Sequence, residues 1–197
     1  MTSIGVLALQ GDFAEHIGIF QRLGVATREV RQPQELAGLD GLVIPGGEST
    51  TVTRLISEFD LLEPLRERAQ NGFPVWGTCA GMIVLAQRAS ELAWPTLDAL
   101  AIAVRRNAFG RQVDSFETDL AIPALGQEAF HAVFIRAPIV KEVDDGVEVL
   151  AKLENGQAVA VRQGNALATA FHPELTEDHR FHRYFIDMVR AHKDDQA

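Results

Sequence analysis

A chain of 197 residues is about the length of one folded domain, and 47% hydrophobic with 23% charged residues is a globular rather than a disordered composition. Lys and Arg number 18 against 27 Asp and Glu, and the net charge of −9 excludes a binder of phosphate backbones, which needs clustered positive charge. One cysteine excludes an internal disulfide and any multi-cysteine metal site, no apolar run approaches the ~20 residues that span a bilayer, and Met1-Thr2-Ser3-Ile4-Gly5-Val6 lacks the basic lead of a signal peptide. The expectation is a soluble protein of the reducing cytoplasm, with neither membrane nor nucleic acid as partner.

In chain order, Ile4–Leu9 is a buried-strand pattern ending in Gln10-Gly11-Asp12. Asp12 can cap a helix whose apolar positions are Phe13, Ile17, Phe20 and Leu23. Gly24 stops that helix, and Val25–Val30 is a second strand. Gly41–Ile44 is a third, broken by Pro45-Gly46-Gly47 and followed by helices over about Thr50–Glu58 and Leu62–Gln70. Phe73–Gly77 is a fourth strand, and Ala80–Ala89 is helical by composition. Strands alternating with helices predict right-handed crossovers and a mostly parallel sheet. The second half is strand-rich: Ala101–Val104, Ala132–Ala137, Val147–Leu153, Ala158–Gln163 and Ala166–Phe171. Asn155-Gly156 marks a hairpin, and Gln163-Gly164-Asn165 a tight turn. A last helix over about Glu177–His192 carries Phe181, Phe185, Met188 and Val189 on one side, before a polar end. No repeat or linker interrupts the chain, so one three-layer α/β domain over residues 1–197 is expected, its central sheet mostly parallel and flanked by helices, with an antiparallel excursion in the second half.

Gly77-Thr78-Cys79-Ala80-Gly81 follows a strand and opens a helix, the setting of a nucleophile elbow. The nucleophile there sits on a strained turn, so its neighbours at plus and minus two must be small. A thiol at a helix N-terminus also meets the positive end of the helix dipole, which favours the reactive thiolate. A lone cysteine is more commonly a buried structural residue, and the motif in this setting leaves both readings open. A nucleophilic cysteine needs a base at the same sheet edge, and His172 stands just past the strand that ends at Phe171. Pro173 biases His172 toward an extended conformation, where residues two apart point the same way, so Glu174 can reach the ring and orient it. Alone, this would read as a surface histidine beside a capping acid; with the elbow it points to catalysis. Oxyanion donors are sought in the amide of Ala80 and in Pro45-Gly46-Gly47-Glu48-Ser49-Thr50-Thr51, which lacks the Gly-Lys-Ser/Thr of a phosphate loop.

The elbow together with His172-Pro173-Glu174 resembles the triad class of glutamine amidotransferases. The finer pattern is similar to one family of that class, the glutaminase subunits of pyridoxal 5′-phosphate synthase. The segments that carry the resemblance are Gly5–Gly11, Pro45–Thr51, Arg106–Phe116, Phe134–Pro138 and Phe171–Asp178, spread over nearly the whole chain. Ala89–Ala99 departs from the pattern and holds no catalytic position. The resemblance implies a class I glutamine amidotransferase-like, flavodoxin-like fold, with Cys79 as nucleophile, His172 as general base and acid, and Glu174 as its partner. It implies Gly47 and Ala80 as the oxyanion hole, and Gly47, Glu48, Ser49, Arg106, Ile135 and Arg136 along bound L-glutamine, with no cofactor or metal. Residue chemistry agrees, since an amino-acid carboxylate suits an arginine, although both arginines are otherwise ordinary surface charge and sequence does not choose between them. The resemblance also implies an ammonia-accepting partner, a (β/α)₈-barrel synthase subunit that activates the glutaminase. Two rivals are a peptidase-like or chaperone-like cysteine protein on the same fold, and a redox sensor using an exposed thiol. The first fits poorly with His172-Pro173-Glu174, and the second leaves the Pro45–Thr51 loop unexplained.

Overall fold

The computed structural model describes residues 2–106 and 115–196; residues 107–114, most of the Arg106–Phe116 segment, lie outside the described residues. In chain order the first half runs β1 (Ser3–Leu7), α1 (Phe13–Arg22), β2 (Ala26–Val30), β3 (Gly41–Ile44), α2 (Ser49–Glu58), α3 (Leu62–Gln70), β4 (Val75–Thr78) and α4 (Ala80–Leu85). The second half gives β5 (Ala86–Ala89), β6 (Leu100–Arg105), β7 (Ser115–Leu120), β8 (Phe130–Ile135), β9 (Ile139–Val143), β10 (Glu148–Lys152), β11 (Ala158–Gln163), β12 (Ala166–Thr169) and α5 (Arg180–Asp195).

The main sheet has the order β10-β11-β12-β4-β3-β1-β2. β2, β1, β3, β4 and β12 pair in parallel, and β11 and β10 continue the sheet antiparallel. Every residue of β3, β4 and β12 is buried, as expected of parallel strands covered on both faces, whose sequences are apolar throughout instead of alternating. The antiparallel excursion has two parts. β10–β11–β12 extends the main sheet through the Asn155-Gly156 hairpin and a two-residue Gly164-Asn165 turn, both glycines having positive φ. The rest leaves that sheet: β5, β6 and β9 form a three-stranded sheet, and β7 pairs with β8 as a hairpin.

Three expectations need correction. The helix foreseen to Ala89 ends at Leu85: α4 is buried all round, and the chain continues as β5, pairing with β6 while Arg88 turns out to Glu142 and Asp144. Here sheet pairing overrides helix propensity. β7 and β9 were absent from the predicted strands; β7 alternates Phe116 with charged Glu117 and Asp119, a half-exposed pattern weaker than an apolar run. On α1 the fully buried residues are His16, Ile19 and Phe20, with Phe13, Ile17 and Leu23 only partly covered, and Asp12 stands at the N-cap without a side-chain capping bond.

α1 and α5 meet over Trp76 of β4. Trp76 is fully buried, stacks on Phe181 at 6.2 Å between ring centroids, and packs against Phe185 at 5.7 Å. Phe20 of α1 reaches Phe185 at 6.4 Å, so the aromatic residues foreseen on the last helix close this side of the sheet.

Candidate active site

The strands place the chemistry. β4 and β12 are parallel neighbours with Thr78 opposite Thr169, so the residues that follow them emerge side by side at the C-terminal edge of the sheet. Cys79 comes directly after β4, and its amide donates to the Thr169 carbonyl at 2.8 Å. Its backbone sits at φ 47°, ψ −104°, a conformation that costs a non-glycine residue on the order of 1–3 kcal/mol and persists only where surroundings enforce it. The enforcement is steric. A Cβ at Gly77 would lie 2.3 Å from the Gly81 carbonyl oxygen, and one at Gly81 would lie 2.0 Å from the Ile44 oxygen. Both collisions are with backbone, which does not swing aside. A Gly81→Ala variant should therefore lose roughly 3 kcal/mol or more of stability, measured by denaturant unfolding; a parent-like midpoint would show that the elbow tolerates a methyl group.

His172 directly follows Phe171, with its amide donating to the Val133 carbonyl at 2.9 Å. Its Nδ1 lies 2.7 Å from Glu174 Oε1, and both side chains are buried. The route to this contact differs from the extended segment expected, because Pro173–Leu175 forms a single 3-10 turn that brings Glu174 back under the ring. Burial by itself would lower the His172 pKa. Hydrogen bonds and charge from Cys79 and Glu174 outweigh it and raise the ring to about 10, so the arrangement holds an imidazolium between a sulfur and a carboxylate. For Glu174, burial pushes upward, and the hydrogen bond and charge of the His172 ring at 2.7 Å help to keep the carboxyl below its ordinary value. The Cys79 sulfur also faces the Ile135 carbonyl at 3.8 Å.

These groups open onto a cavity of about 350 Å³, the size range of an amino-acid site. Its lining brings together every residue singled out in the sequence except Glu174, which lies behind the ring: Gly47, Glu48, Ser49, Cys79, Ala80, Arg106, Ile135, Arg136 and His172. Glu48 has a second duty. Its carboxylate caps α2, accepting from the amides of Thr50 and Thr51 at 3.1 and 2.7 Å, and pairs with Arg106 at 2.8 Å. Arg136 adopts a positive φ of 45° at the pocket. A broader groove beside β5 and β6, lined by Arg88, Trp94 and Glu142, contains neither the thiol nor the imidazole.

Sequence reasoning missed Gln10 and Asp12, which also line the cavity. Gln10 accepts from the Glu48 amide at 2.8 Å, tying the glycine loop to the end of β1. Asp12 Oδ2 lies 3.5 Å from His172 Nδ1, and burial, with Glu174 nearby, raises its pKa. The available signal was position, since both follow β1 at the edge where its parallel neighbours deliver Cys79 and His172. Asp12, His172 and Glu174 are the one trio of potential metal ligands within 4.8 Å of one another among the described residues. With His172 Nδ1 committed to Glu174, the two carboxylates are read as partners of the ring.

The fold is that of the class I glutamine amidotransferases: a glutamine amidotransferase of known crystal structure superposes with a TM-score of 0.89 at 50% identity, covering 95% of this chain and 98% of that one. Pyridoxal 5′-phosphate synthase subunit PdxT of Herpetosiphon aurantiacus is 57% identical over 189 residues, 94% of this chain and all of that protein. The subunit of the same name from Dehalococcoides mccartyi is 58% identical over 192 residues, 96% of this chain and 98% of that protein. Residues 6–191 match the SNO glutamine amidotransferase family, and the chain belongs to that family.

Proposed function

We propose that this chain is the glutaminase subunit of a pyridoxal 5′-phosphate synthase, hydrolysing L-glutamine and delivering the ammonia to a partner synthase subunit. The observation that carries the reading is the convergence of Cys79 and His172 on one pocket, with buried Glu174 held behind the His172 ring, in a chain of this family. The Cys79 thiolate attacks the side-chain amide carbon of glutamine, and the oxyanion is held by the amides of Gly47 and Ala80. The C–N bond breaks as the His172 imidazolium gives its proton to the departing ammonia, leaving a glutamyl thioester. His172 then takes a proton from water, which attacks the thioester to release glutamate and restore the thiol. Gly47, Glu48, Ser49, Arg106, Ile135 and Arg136 lie along the substrate, the guanidinium groups supplying positive charge for its α-carboxylate.

Free ammonia is lost to solvent unless an acceptor site receives it, so the partner is proposed as a (β/α)₈-barrel subunit that also activates the glutaminase. The reading takes residues 1–197 as one glutaminase domain working in the cytoplasm. No helix among the described residues is long and apolar enough to cross a membrane. The test is co-purification with a barrel synthase, then turnover of glutamine labelled at the amide nitrogen. The complex should release glutamate much faster than the lone chain, with label entering the synthase product. Equal rates for the lone chain and the complex would overturn the activation, and no glutamate from either would overturn the glutaminase reading.

A further inference from the structure

Behind Glu174, away from the pocket, two histidines lie wholly inside the protein. His16 of α1 and His182 of α5 are both 0% exposed, and neither belongs to the chemistry described above. Glu174 Oε1 is engaged by His172; Oε2 is sealed from solvent and has no hydrogen-bond partner among the described residues, and the ring facing it is His16, whose Nε2 lies 3.4 Å away. The other nitrogen of that ring, Nδ1, lies 3.0 Å from His182 Nε2. Beyond, His182 Nδ1 is buried with no hydrogen-bond partner among the described residues, and Trp76 and Phe20 stand against the ring at 5.0 and 5.1 Å between centroids.

We propose that His16 is a positioning residue for the glutaminase, holding the far oxygen of Glu174 through its Nε2–H, and that His182 fixes the tautomer that makes this donation available. The inference rests on the proposed role of Glu174 and adds to it. A carboxylate only accepts, so the nitrogen that meets Oε2 must carry the hydrogen. If His16 is neutral, Nδ1 then holds the lone pair and accepts from His182 Nε2–H, which leaves the lone pair of His182 Nδ1 facing the rings. The opposite assignment sets the His16 lone pair against a buried carboxylate. The first assignment keeps the Glu174 and His182 contacts attractive; the opposite one would let Nε2 accept from the Thr78 hydroxyl at 3.4 Å but would set a lone pair against the buried Glu174 Oε2.

The charge state agrees with the geometry. His16 faces Glu174, His172 and Glu15 as its charged neighbours; burial dominates and lowers its pKa, so the ring is neutral around pH 7. His182 faces His16, His179 and Arg22, and burial again drives it well below its ordinary value. The Nε2 of His16 also lies 3.4 Å from Thr78 Oγ1, which accepts from the Gly46 amide at 3.0 Å. One ring thus touches both the carboxylate behind the base and the hydroxyl that anchors the glycine loop. Fixing the orientation and tautomer of a reacting group through such outer contacts commonly governs about 10- to 100-fold in activity.

The test uses the full chain with its synthase partner. H16Q places an amide N–H near the former Nε2, whereas H16N places one near Nδ1 and leaves Glu174 Oε2 bare. H16N should lower kcat roughly tenfold or more with KM for glutamine within about twofold, and H16Q should recover most of the loss. Nitrogen-15 shifts of the parent should show His16 as the neutral Nε2–H tautomer at pH 7, and H182F should shift that tautomer and lower kcat even where H16N fails to fold. Equal kcat in H16N, H16Q and H182F, or a charged or Nδ1–H His16 in the parent, would overturn the proposal. C79A measured alongside separates the two readings: glutamate released by C79A would sink the glutaminase mechanism itself, whatever the histidine variants do.

Discussion

A Cys79→Ala variant, assayed with the synthase, should release glutamate on the order of 10⁴-fold more slowly than the parent or not at all, while unfolding at nearly the same temperature. Each step of the proposed mechanism passes through this sulfur, and the chain has no second cysteine to take its place. Stability should move little. Alanine keeps the Cβ that the elbow already accommodates at φ 47°, and although the sulfur's pairing with the His172 ring and its 3.8 Å contact with the Ile135 carbonyl are lost, the ring keeps its Glu174 partner at 2.7 Å. Substantial turnover by this variant would dismiss the thioester route. A large drop in its midpoint would instead make the cysteine a packing residue.

Glu174→Gln should be damaging in two ways. Losing the charge beneath His172 removes one of the influences that raise the ring to about 10, and an amide side chain no longer dictates which ring nitrogen carries the proton. Activity should fall on the order of 10³-fold. Stability should fall by about 3 kcal/mol, because an imidazolium is left buried without its counter-charge. The pH dependence carries a sign. The raised His172 pKa contributes stability that is complete below the ordinary histidine value of 6.5 and fades as pH climbs toward about 10. The lowered Glu174 pKa contributes stability present above the ordinary value of 4.5 and lost on acidification. The parent's advantage over E174Q in thermal midpoint should therefore peak between those two values and shrink on either side. A constant offset from pH 5 to pH 10 would deny the ion pair.

The parallel half of the sheet was legible because β3, β4 and β12 are mostly apolar, with a single threonine at the end of each of the last two, and are bounded by glycine, proline and polar turns. The elbow was legible for a related reason: small residues on both sides of Cys79 avoid the collision with backbone that a Cβ at Gly77 or Gly81 would make. β7 and β9 were obscured by their charged, half-exposed residues, and β5 by a composition that suits a helix. His16 escaped notice because a histidine among the apolar positions of α1 looks like any core residue until α5 places His182 beside it, 166 positions away. Glu48 was foreseen along the substrate, but its capping of α2 and its pairing with Arg106 depend on distances that spacing does not encode.

In the seven-strand sheet β4 stands in the middle, with three strands on either side. Sheets fray from their rims, here β2 and β10, while a central strand opens only when the whole sheet does. The Cys79 amide, bonded to the Thr169 carbonyl directly after β4, should therefore be among the last to exchange its hydrogen with water, and breathing at the margins should leave the proposed nucleophile in register.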